Sequence, residues 1–121
     1  MKSRIDSFKA AFSGIKQATL IGPNFQIELV CAVVAILLGY WLEITPVEWA
    51  VLFLTIGFVL TAEVFNTAIE QLANKITLED DLKIRLAKDL AGGAVLIASI
   101  ISIGVAIFLF GPRIYSWIIS M

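Results

Sequence analysis

Two carboxylates and an amide share one side of a helix in the run Glu63-Val-Phe-Asn66-Thr-Ala-Ile-Glu70. Positions 63, 66 and 70 follow the i, i+3, i+7 rhythm that gathers side chains into a stripe. The residues before them, Val47 to Ala62, are almost wholly apolar. Carboxylates entering a membrane helix are costly to bury and face protein, ions or water. The stripe is therefore the leading candidate site. A second segment, Ala87-Lys88-Asp89-Leu90-Ala91-Gly92-Gly93, opens the next apolar run. Its two glycines would permit close approach to a neighbouring helix or a nucleotide. The two segments supply three carboxylates, one amide and one lysine. Oxygen ligands suit Mg²⁺ and a lysine counters phosphate charge, so this set points to phosphate chemistry.

Phosphoryl transfer requires an aligned hydroxyl, neutralised phosphate charge and removal of the acceptor's proton. Glu63 is the expected base because it lies deepest in the membrane, where a lipid hydroxyl would meet it. Desolvation there improves its match to proton removal. Glu70 and Asp89 lie nearer water and are expected to handle Mg²⁺ or nucleotide. Asn66 is expected to hold a reactant by hydrogen bonds, and Lys88 to contact phosphate. Each residue also has a bland reading: Glu63 as a structural acid, Asn66 as an interhelical amide, Glu70 as a headgroup-level residue, Lys88 and Asp89 as an interfacial charge pair. Their common side of the membrane favours a shared site. Glu79, Asp80 and Asp81 read as a solvated loop. No Walker-type P-loop and no kinase glycine-rich signature is present, so any kinase activity must use another scaffold.

The elements that position these residues are helices. Residues 3 to 20 place Ile5, Phe8, Phe12, Ile15 and Thr19 on one face with Arg4, Lys9 and Lys16 at its margins, as in an amphipathic surface helix. Gly22-Pro23 breaks the chain, and Asn24 is the expected cap of the next helix. Membrane spans are expected over about 25–42, 47–76 with a cytoplasmic extension, and 88–110. Tyr40, Trp41 and Trp49 suit an interface, and Ile44 to Pro46 a tight connection. Gly57 would permit close packing within the second span. Gly111-Pro112 is expected to end the third helix, with Tyr115 and Trp117 as interfacial anchors. Lys2, Arg4, Lys9, Lys16, Lys75, Lys83, Arg85 and Lys88 gather on one side, leaving Arg113 alone on the other. Positive charge retained inside predicts a cytoplasmic N-terminus and site, with the C-terminus outside.

Composition agrees. Of 121 residues, 60% are hydrophobic and only 16% charged, too little polar surface for a soluble domain of this size. A single membrane domain spanning 1–121 is the natural reading. The formal net charge of -1 gives no support to nucleic-acid binding. Cys31 is the only cysteine and histidine is absent, which excludes an intrachain disulfide, a His-based triad and a His metal cluster. The start, Lys2 through Lys16, is too long and amphipathic for a standard signal peptide and is expected to be retained.

These segments resemble the small integral-membrane diacylglycerol kinase family of bacteria, including its undecaprenol kinase branch. Glu63-Val-Phe-Asn66-Thr-Ala-Ile-Glu70 is similar to the family's E-x-x-N-[ST]-A-I-E signature. Ala87-Lys88-Asp89 with Gly93-Ala94-Val95-Leu96-Ile97 is similar to its second block. The likeness runs from about Phe8 to Phe110. It implies an all-α membrane protein with a surface helix and three transmembrane helices, assembled as a homotrimer with sites shared between subunits. It also implies Mg-ATP-dependent phosphorylation of a membrane lipid alcohol at the bacterial inner membrane. Carried over by position, Glu63 matches the base, Asn66 the site amide, Glu70 a metal-binding carboxylate, and Lys88 and Asp89 nucleotide-site residues. Gly22 departs from the pattern, standing where many members carry another metal-binding acid, with Glu28 nearby. Asn74 stands where close relatives often have aspartate. Asn24-Phe25-Gln26-Ile27 is more similar to the undecaprenol kinase branch, so undecaprenol is favoured over diacylglycerol. The alternative function is a non-catalytic trimeric membrane scaffold or regulatory protein.

Overall fold

In the computed structural model, which describes residues 3–121 apart from the side chain of Pro23, the chain is all-helical, with four helices in the order α1 Arg4–Ile21, α2 Pro23–Trp41, α3 Pro46–Ile76 and α4 Leu82–Ile119. Lys2, one of the charges invoked for orientation, lies outside the described residues. Three helices, α2, α3 and α4, are long and apolar enough to cross a membrane. At 1.5 Å rise per residue α3 and α4 run to roughly 45 and 55 Å, well beyond a hydrocarbon core of about 30 Å. Large side chains such as Leu54, Leu96 and Phe108 are exposed along them. Against lipid tails that exposure is not penalised as it is in water.

Local chemistry sets each boundary. Ser3 and Asp6 form a capping box at the start of α1, satisfying backbone donors that have no partner in the first turn. Gly22 ends α1 and begins α2 at once, in an extended conformation, with Pro23 in the first turn. The cap is therefore Gly22, not Asn24, because proline's fixed φ suits the first helical position. Gln26 Nε2 donates to the Thr19 carbonyl at 2.6 Å and staples α1 to α2 across this joint. Thr45 and Glu48 form a second capping box at the start of α3, and Lys75 in its last turn complements the helix dipole. Asp81 caps α4 by accepting from the Lys83 and Ile84 amides, while Arg85 pairs with Asp80 beside it.

The main packing is α3 against α4, with α2 on α3 and α1 lying against both α2 and α3. At the end holding the Leu42–Thr45 turn, Ile44, Leu52, Leu109 and Phe110 form a buried cluster. A residue at position 39 larger than glycine would crowd Ile44 and Trp49, at 3.0 and 3.2 Å from an added Cβ. Gly57, by contrast, faces open space within the chain, so it does not mediate packing there.

Gly111-Pro112 does not end the third span's helix: α4 continues to Ile119 with Pro112 inside it. Proline removes one backbone donor, a loss tolerated where other groups take over. The carbonyl this leaves free is that of Phe108; one residue on, the Arg113 guanidinium donates from Nη1 to the Leu109 carbonyl at 3.2 Å. Both terminal nitrogens also reach the Glu48 carboxylate, Nη1 to Oε2 and Nη2 to Oε1 at 2.5 Å each. This two-pronged contact is charge-assisted and geometrically specific. It ties α4 to the first turn of α3, and Trp41 meets Trp117 edge-on at 5.2 Å between ring centroids.

Removing either partner should lower the thermal unfolding midpoint in detergent. Glu48→Ala with Arg113→Ala should cost less than the two single changes summed, because the second change removes a charge the first left unpaired. Strictly additive effects would show that the contact does not clamp the helices.

Candidate functional site

The stripe on α3 is graded by burial. Glu63 is 3% exposed, the most enclosed charged residue among those described. Asn66 is half-buried and Glu70 is exposed. Each step from 63 to 66 to 70 moves toward the end of the helix, about one turn at a time. Ala18, Phe25, Ala73 and Ala91 are also buried.

Glu28 on α2 and Glu70 on α3 are the charged groups whose fields reach Glu63. The sequence patterns assign Glu28 no role. A signal for one exists: counting back from the Leu42–Thr45 turn, Glu28 and Glu63 lie roughly 21 and 27 Å along antiparallel helices, about one turn apart in depth. Glu28 also lines a cavity of about 360 Å³ between α2, α3 and α4, with Cys31, Thr55, Val59, Ser102 and Phe110 among its other walls. The hydroxyls of Thr55 and Ser102 are spent on carbonyls of their own helices, Val51 at 2.7 Å and Ser99 at 2.7 Å. What the cavity presents is therefore mostly apolar.

Lys88, from α4, reaches the α3 stripe: its Nζ donates to Asn74 Oδ1 at 2.6 Å. The structure thus joins Lys88 to the helix that carries Glu63, Asn66 and Glu70. Asp89 is exposed and makes no hydrogen bond or ion pair among the described residues. Gly92 and Gly93 are not points of close approach within the chain, since an added Cβ on either meets nothing within 4 Å.

The buried Oδ1 of Asn66 has no hydrogen-bond partner among the described residues. Buried polar atoms are nearly always paired, so an orphan marks a place where an outside group completes the set. One turn away, Glu70 offers a free carboxylate. These two oxygens fit Mg²⁺ arriving with a nucleotide, since that ion keeps several waters and takes one or two carboxylates together with phosphate oxygens. Among the described residues no three acid, cysteine or histidine side chains gather into a ready-made cage.

Residues 9–110 match the family described as prokaryotic diacylglycerol kinase. The chain is 33% identical to undecaprenol kinase of Bacillus subtilis strain 168, covering 89% of this chain and 88% of that protein. It is 32% identical to a diacylglycerol kinase of a Synechocystis strain, over 91% of this chain and 63% of the relative. With diacylglycerol kinase of Escherichia coli K12 the identity is 28%, over 77% of this chain and 76% of the relative.

Gly22 borders this site and is buried. An added Cβ there would lie 2.8 Å from the Ala18 carbonyl oxygen and 3.5 Å from Thr67 Oγ1. A backbone oxygen cannot swing aside as a side chain does. Gly22→Ala should therefore destabilise the chain by about 1–3 kcal/mol, the usual cost of overpacking, and Gly22→Glu should do so although it restores an acid. Unfolding midpoints in detergent check this, and an unchanged midpoint for Gly22→Ala would contradict it.

Proposed function

The chain belongs to the prokaryotic diacylglycerol kinase family, and we propose that, as a lipid kinase of that family, it transfers the γ-phosphate of ATP to the hydroxyl of a membrane lipid alcohol, undecaprenol in preference to diacylglycerol. The observation that carries the assignment of residues is the enclosed Glu63 beside the orphaned Asn66 Oδ1. Glu63 accepts the proton of the lipid hydroxyl as its oxygen attacks the γ-phosphorus. The bond from that phosphorus to the β–γ bridging oxygen breaks, and ADP leaves. Asn66 orients the reactants from the middle of the stripe. Glu70, Lys88 and Asp89 hold the nucleotide, with Glu70 also the metal carboxylate. Mg²⁺, when bound, supplies charge neutralisation across the β- and γ-phosphates.

A lipid acceptor is supported by the depth of Glu63 and by the mostly apolar cavity next to Glu28. Undecaprenol is supported by the Asn24-Phe25-Gln26-Ile27 stretch and by the relative that bears that name, which is matched over 88% of its length, against 63% and 76% for the two diacylglycerol kinases. The charge distribution along the chain supports a cytoplasmic site at the bacterial inner membrane, with α1 lying on the surface and the C-terminus outside. The exposed apolar faces of α2, α3 and α4 support self-association as a homotrimer whose subunits share sites.

The test is phosphate transfer from Mg-ATP to undecaprenol and to diacylglycerol, supplied separately, by wild type and Glu63→Gln. Undecaprenol should be the better acceptor. E63Q should lose about 10²–10⁴-fold in rate, as expected for loss of a general base, while its unfolding midpoint is retained. Transfer to neither lipid by folded protein would defeat the reading. Full activity of E63Q would remove Glu63 from its role.

A further inference from the structure

Lys88 does not hang free in solvent. It rises from the second turn of α4, and its ammonium is held by the amide oxygen of Asn74 on α3. Asn66, Glu70 and Asn74 are spaced i, i+4, i+8, so Asn74 prolongs the stripe by one turn toward water. The ion pairs among the described residues join Arg85 to Asp80 and Arg113 to Glu48. Lys88 therefore has no carboxylate partner there. An ammonium carries three N–H donors. One is given to Asn74, two remain, and a neutral amide cancels none of the charge.

We propose that Asn74 is a positioning residue for nucleotide binding: it fixes the Lys88 ammonium roughly one helical turn, about 6 Å along the axis, from Glu70, and leaves its charge and two donors for phosphate oxygens. The inference rests on the nucleotide role proposed above for Glu70 and Lys88. Its ground is what other side chains would do at this place. An apolar residue would release the flexible lysine stem, whose rotamers must then be frozen when the nucleotide binds. A carboxylate would hold the ammonium but neutralise it, and phosphate would have to compete with that pair.

The experiment uses full-length protein in detergent and a non-hydrolysable Mg-ATP analogue, with dissociation constants measured by calorimetry in the absence of lipid. Asn74→Ala should weaken binding about three- to tenfold, the cost of ordering a free lysine, with the KM for lipid unchanged. Asn74→Asp should weaken it about two- to fivefold, as expected for an exposed ion pair that must be broken. Asn74→Gln, which keeps the carbonyl oxygen, should recover part of the loss. In a Lys88→Met background, Asn74→Ala should add nothing, because Asn74 acts through Lys88. Equal affinities for wild type and N74A, tighter binding by N74D, or a penalty that persists undiminished in K88M would each overturn the proposal. Because binding is read without lipid, these outcomes are separate from a failure of lipid transfer, which bears on the reaction instead.

Discussion

Everything at this site depends on the cost of enclosing Glu63. A carboxylate removed from water without a partner is expensive by several kcal/mol, and the charged groups within its reach, Glu28 and Glu70, are acids too. No cation among the described residues offsets it. Its neighbour Asn66 adds a second unmet demand, a buried oxygen with no donor. Stability alone would favour a leucine and an alanine at these positions. Two such costs side by side on one helix face make sense if binding partners, a hydroxyl, a phosphate or a cation, complete the set from outside the chain.

The rest of the molecule is arranged so that this cost is borne at one end only. At the other end the chain is tightly fixed. The Thr45–Glu48 capping box, the Glu48–Arg113 contact and the Ile44, Leu52, Leu109 and Phe110 cluster all lie there. Held at that end, α3 and α4 can present polar groups at the opposite end without coming apart. There the connection Thr77–Asp81 is exposed for most of its length, and α1 is joined to α2 through one buried glycine. Packing firm at one end and polar at the other fits a protein whose substrates come from two phases.

Much of this is legible in the sequence because membrane helices impose strong patterns. The uncharged run from Ala91 to Phe110, the Gly22-Pro23 break and the stripe at 63, 66 and 70 each emerge from periodicity and composition. What is not legible depends on pairs of residues far apart in the chain. Glu48 and Arg113 lie 65 residues apart, and their contact holds the stretch of α4 beyond Pro112 against the first turn of α3. Local rules treat Gly-Pro as an ending because they do not see a contact made so far away in the chain. Asn24 resembles a cap by side-chain type alone, but proline's fixed φ already places the start of α2 two residues earlier, with Gly22 as the cap. Gly92 and Gly93 suggest close approach, yet the approach occurs at Gly22 and Gly39. Glycine marks where contact is permitted, and only the fold decides where it is used.

On the proposed reading, α3 serves as a ruler of depth. From Glu63 to Glu70 the helix rises roughly 10 Å, from an enclosed acid to one in water. A lipid hydroxyl reaches the deep end by moving within the bilayer, and a triphosphate reaches the shallow end from solution. Asn66 sits between them, where the two would meet. A soluble kinase must fold a loop around phosphate and exclude water by closing over it. Here the bilayer already excludes water from the deep end, so a straight helix can align donor and acceptor by register alone. That accounts for the absence of any glycine-rich phosphate loop in a chain this short. Specificity for the acceptor then falls to the apolar walls near Glu28, which sense the bulk of the lipid more than its polar group. Two alcohols with the same primary hydroxyl and different hydrocarbon bodies would be separated by packing, a weaker discriminator than hydrogen bonding.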